Sequence, residues 1–143
     1  MSDPVPPNPR TARWKVSQTA VTGAWKEKRR LAAAMRTVIS RLVEIEAPEA
    51  ELAAAADGLE RYAARLASHP RPNRYEGWAE ASASRDVSSF FDHSPLIGLS
   101  NPLAPPIAMH GDEDGRRVHG SVVFGSAYEG PPGCVHGGYI AAA

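Results

Sequence analysis

The chain has one cysteine, Cys134, in 143 residues. An internal disulfide and a multi-thiolate metal cluster are therefore excluded within one copy, and a reducing, cytoplasmic setting is expected. Net charge is also missing, because 16 Lys and Arg balance 16 Asp and Glu. Composition thus gives no reason to expect nucleic acid as the main ligand. No run approaches the roughly 18 to 20 apolar residues of a membrane helix, so no membrane span is expected. Residues 1–13 lack the apolar centre of a secretory signal, and the early prolines oppose an amphipathic targeting helix. Aromatic residues make up only 7%. In so neutral a chain Trp14, Trp25 and Trp78 are expected to be packing anchors rather than platforms for stacked bases.

Proline is plentiful, with 13 residues unevenly placed. Pro4, Pro6, Pro7 and Pro9 mark residues 1–13 as an extended, disordered tail. Residues 14–72 are expected to form a helical hairpin. Leu31, Met35, Val38, Ile39, Leu42 and Val43 recur at helical spacing, with Arg29, Arg30, Arg36 and Arg41 as polar residues around the stripe. Pro48 opens a second helix, Glu49 and Glu51 suit its positive end, and Leu52, Ala55, Leu59, Tyr62 and Leu66 form its stripe. A short connection near Ala47 predicts antiparallel neighbours with Leu42 and Leu59 buried. Gly58 weakens the second helix by about 1 kcal/mol relative to alanine.

Residues 73–143 read differently. The stretch from Asn73 to Asp92 has no sustained period, and Pro95, Pro102, Pro105 and Pro106 exclude a long regular element after it. Ile107–His110, a turn over Gly111–Gly115, and Val118–Phe124 predict a β-hairpin with Val118, Val122 and Phe124 on one face. The loop Gly130-Pro131-Pro132-Gly133 then leads through His136-Gly137-Gly138 into a helix beginning near Tyr139. The overall class is α+β.

Three segments together resemble the front part of PaaI-like hotdog-fold acyl-CoA thioesterases. They are Phe90-Phe91-Asp92-His93-Ser94-Pro95-Leu96-Ile97-Gly98, Asn101-Pro102-Leu103-Ala104-Pro105-Pro106, and Tyr128-Glu129-Gly130-Pro131-Pro132-Gly133-Cys134-Val135-His136-Gly137-Gly138-Tyr139-Ile140-Ala141-Ala142. The resemblance covers about Ser88 to Ala143 and implies a partial hotdog domain over 73–143, ending at the start of its central helix. It implies hydrolysis of acyl-CoA with no metal or redox cofactor, in a homodimer or homotetramer. The backbone N–H of Gly137 would polarise the thioester carbonyl, with His136 beside it in the catalytic set. Gly138 and Asn101 would lie on the substrate-binding side. The family's catalytic carboxylate follows the histidine by about nine residues, a position past Ala143, so these 143 residues are expected to be inactive alone. Two alternatives stay open: a non-catalytic acyl-CoA-binding hotdog protein, and a helical interaction protein.

Other groups of reactive residue types rank lower. Cys134 lacks a base held against it and is expected to be a small buried residue. Cys134, His136, His110 and His119 lack the usual metal-ligand spacings. Asp112, Glu113 and Asp114 suit a solvated turn, and Asp92, His93 and Ser94 are too close in sequence to form a catalytic triad.

Overall fold

A computed structural model describes residues 21–70, 92–105, 107–112 and 117–142. The tail expected over 1–13, Trp14, Trp78 and the aperiodic stretch before Asp92 lie outside the described residues. The chain is mixed α+β, with two helices followed by a small two-stranded antiparallel sheet. No helix among the described residues is long and apolar enough to cross a membrane.

Helix α1 spans Gly23–Glu44 and helix α2 spans Glu49–Ala67. The first begins after an extended Thr22 and stops where Ile45 turns extended. Pro48 holds a φ of −58° at the start of α2, where a missing N–H costs nothing, and Glu49 and Glu51 occupy the first turn beside the dipole's positive end. Gly58 does not interrupt α2. Ser68 ends it by donating from Oγ to the Arg65 carbonyl at 2.7 Å, and Pro70 follows two residues on.

The expected packing of α1 on α2 is corrected here. Leu42 is 60% exposed and Leu59 42% exposed, and the two helices share no extensive contact. Between the helices Ile45 is extended and Pro48 has ψ 143°, and leucine spacing alone does not bring the two stripes together.

The face of α1 that does pack is also not the expected stripe. Trp25, Arg29, Ala32, Arg36 and Ser40 recur at spacings of four, three, four and four, and they face the segment 92–105 and the turn near residue 126. Trp25 Nε1 donates to Asp92 Oδ2 at 2.6 Å. Arg29 meets Asp92 Oδ1 through both Nε and Nη2 at 2.9 Å, and its guanidinium carbon lies 5.3 Å from the Trp25 ring centroid. Arg36 Nη1 donates to the Asn101 carbonyl at 2.9 Å. Ser126 Oγ donates to the Ser40 carbonyl at 3.1 Å. Arg29 and Arg36, read from sequence as polar residues around the stripe, bring α1 onto the loop because carboxylate and carbonyl acceptors wait there. Trp25 joins this contact through both its ring N–H and its ring face.

The small interior lies at this junction. Ala32, Ala104, Ile107 and Tyr128 are its buried apolar residues, joined by Asp92, Ser100 and Pro105. Gly98 sits where a Cβ would come within 2.5 Å of the Ser94 carbonyl oxygen, so the loop closes around a position with no side chain.

Strand β1 (Ala108–Gly111) pairs antiparallel with β2 (Val118–Ser121), with His110 opposite His119. Pairing stops at Ser121, earlier than the predicted Phe124. The alternation persists past the ladder: Val118, Val122 and Phe124 are half-buried while His119, Ser121 and Val123 are exposed. A 3₁₀ turn over Ser126–Tyr128 and helix α3 over Gly137–Ala142 complete the described chain.

Candidate functional site

The sequence segment with the most chemical content folds into a closed loop at the foot of α3. Tyr128 and His136 meet as the His136 N–H donates to the Tyr128 carbonyl at 2.9 Å, and Glu129 bridges antiparallel to Val135. Inside this closure Gly130 N donates to the Cys134 carbonyl at 2.8 Å and Cys134 N to the Pro131 carbonyl at 2.9 Å. Gly133 takes a φ of 76°, which favours glycine, and its N–H donates to the Glu129 carboxylate. At Gly130 a Cβ would lie 3.0 Å from the His136 Cα, so strand and helix start approach closely only because glycine is there.

His136 caps the helix that it precedes. Its Nδ1 accepts the Gly138 N–H at 3.1 Å, and its carbonyl accepts the Tyr139 N–H at 2.9 Å. A ring that accepts at Nδ1 is neutral and carries its proton on Nε2, a tautomer assigned from the hydrogen bond. In that state neither ring nitrogen offers a free lone pair for proton abstraction, so the geometry suits positioning. Gly137 heads the helix, ahead of any intrahelical acceptor, and a Cβ on it would meet nothing within 4 Å. The side of Gly137 on which a Cβ would stand is therefore open.

Three aromatic rings, not singled out by the sequence reading, fix α3 to the body. Tyr139 meets Tyr128 edge-on with centroids 5.0 Å apart, and Phe124 lies 5.7 Å from Tyr128 and 6.3 Å from Tyr139. The Tyr128 hydroxyl donates to the Leu103 carbonyl at 3.2 Å, which ties the site to the segment holding Asn101. Burial raises the Tyr128 pKa, with Tyr139 adding to the rise and Arg36 opposing it, so the phenol is a neutral donor.

Asn101 has both ends of its amide engaged within its own loop. Oδ1 accepts from Leu103 N at 2.9 Å and Nδ2 donates to the His93 carbonyl at 3.1 Å. Asp92 is likewise committed: it is 1% exposed and receives Trp25, Arg29 and the Ser100 hydroxyl. Desolvation pushes its carboxyl pKa up, but the hydrogen bonds from Ser100, Trp25 and Arg29, with the arginine's charge, outweigh it and hold the net value below the usual range. Asp92 thus builds the turn as an ionised structural anchor. Cys134 is exposed rather than buried, a correction explained by its place in a tight outward loop held by backbone bonds.

Among the described residues no group of three or more His, Cys, Asp and Glu side chains is placed to hold a metal ion. His119 Nε2 instead meets Asp112 Oδ1 at 2.8 Å and stacks on His110 at 5.6 Å, a surface arrangement on the hairpin. The site therefore offers a backbone donor at a glycine helix start, a capping histidine and an aromatic floor. Comparisons with family models, with curated proteins and with solved structures find no match to this chain.

Proposed function

We propose that this chain supplies the carbonyl-polarising part of an acyl-CoA thioesterase site of the PaaI-like hotdog type. The observation that carries the reading is the junction at His136-Gly137-Gly138: Gly138 and Tyr139 amides are taken by His136, and Gly137 stands at the helix head with open space on its Cβ side. A backbone N–H held there can donate to a thioester oxygen as negative charge develops on it. His136 holds the loop and Gly138 completes the helix start. Asn101 acts by shaping the neighbouring turn. The reaction needs no metal or redox cofactor, and the acyl-CoA substrate would be met in the cytoplasm by a homodimer or homotetramer.

Hydrolysis also needs a carboxylate to activate water. The acidic residues of the loop and of the segment 92–105 are already engaged, Glu129 by Gly133 and Asp92 by three donors. That observation favours a second reading for these 143 residues by themselves, binding of acyl-CoA without turnover.

One pair of variants tests the site. Gly137→Pro deletes the N–H at a first helical position that proline tolerates, whereas Gly137→Ala keeps it and places its methyl in open space. Calorimetry with a non-hydrolysable acyl-CoA thioether should show binding that survives in the alanine variant and is lost in the proline variant. No binding by the parent chain would overturn the acyl-CoA reading. Hydrolysis by the parent that persists in Gly137→Pro would place the chemistry elsewhere.

A further inference from the structure

We infer that α2 is a self-association element, packing antiparallel against the α2 helix of a second copy of this chain. No residue of this 19-residue helix is buried. Leu52, Leu59 and Leu66 nevertheless recur every seven positions, and they are 42%, 42% and 47% exposed. Ala55 and Tyr62 fall between them, giving the alternating three- and four-residue spacing of a coiled-coil seam. A lone helix of this length is marginal in water, and such a seam gains stability only when covered.

The charges identify the cover. The first turn carries Glu49 and Glu51 and the last turn carries Arg65, with Arg61 one turn before it. A parallel copy would place like charges side by side, whereas an antiparallel copy places each acidic end beside a basic end. In the register that sets Leu52 against the partner subunit's Tyr62, Ala55 lies against the partner subunit's Leu59. Glu51 then falls beside the partner subunit's Arg65, and two-fold symmetry repeats the pair at the other end. Gly58 lies at the centre, where its missing side chain lets the two backbones draw close, and a Cβ there would touch only the tip of Arg61 at 4.0 Å. The seam and the flanking charges thus select the same partner, orientation and register.

Sedimentation equilibrium on the full chain, with charge reversals, tests this. The parent should show a reversible dimer weakened by salt. Glu51→Arg and Arg65→Glu should each raise the dissociation constant about tenfold, since symmetry makes every reversal count twice. The double variant Glu51→Arg/Arg65→Glu should recover most of the parent affinity. Leu59→Asp should give monomers, and circular dichroism would verify that the remaining helix is retained. A monomeric parent would overturn the proposal. So would a dimer that ignores the single reversals, which would point to α1 or the sheet as the interface, or a double variant no better than the singles.

Discussion

Helices α1 and α2 have similar lengths and both carry an apolar stripe, yet among the described residues only α1 is held by other parts of the chain. Its docked face is the less hydrophobic one. Trp25, Arg29 and Arg36 find a carboxylate and two carbonyls in the segment 92–105, while Val38, Leu42 and Val43 remain exposed. Helix α2 has leucines at regular spacing and nothing within the described chain to set them against. Amphipathicity shows that a helix has a face to cover, and directional polar partners decide which face meets which neighbour.

The largest expected effect comes from removing the docking partner of α1. Asp92→Ala takes the carboxylate from Arg29 and leaves the Trp25 and Ser100 donors without their acceptor, which should cost about 3 kcal/mol. Urea unfolding would measure it, and a loss below about 0.5 kcal/mol, the range of an ordinary surface change, would show that the hub does not hold α1. The same group makes a pH prediction. Because its pKa is lowered in the folded state, its contribution is full above the unfolded value near 3.8 and falls away as pH drops through the folded value. Asp92→Asn should flatten that acid limb of the stability curve, and an identical limb in the two proteins would reject the assignment.

Changes on α2 should be smaller and can have the opposite sign. Gly58→Ala at low protein concentration should raise helicity and stabilise the isolated chain by up to about 1 kcal/mol, as an exposed helix interior predicts. A fall in thermal stability under those conditions would mean that Gly58 is already packed against something within one copy. The smallest effect is expected at Leu42. At 60% exposure it should accept Leu42→Asp within about 0.5 kcal/mol. A loss of several kcal/mol would restore the helical hairpin that the spacing alone had suggested.

The start of α2 was legible because its signals are local: Pro48 with Glu49 and Glu51 in the first turn. The β-hairpin was legible for the same reason, although its ladder ends at Ser121 rather than Phe124. The docked face of α1 was hidden, because Trp25 and Asp92 lie 67 residues apart and Arg29 and Asp92 63 apart. Helical periodicity can place an arginine on a face but cannot name the carboxylate it will meet. At the candidate site, the glycine pair and the helix start could be placed from sequence. The reach of Glu129 back to Gly133, the acceptance of Gly138 by His136 and the Tyr128–Tyr139 contact depend on side-chain directions that emerge only once the loop closes.

That closed loop has a consequence for how the molecule breathes. The amides of Gly130, Gly133, Cys134 and His136 all find acceptors between Tyr128 and Cys134, while the Tyr128 hydroxyl reaches out to Leu103. Releasing the His136 amide requires opening the same ring that shelters the Gly130 amide, and it also disturbs the aromatic support under α3. In hydrogen–deuterium exchange these amides should therefore behave as one opening unit with a shared free energy rather than fraying singly. Tyr128→Phe, which cuts only the tether to Leu103, should accelerate their exchange together.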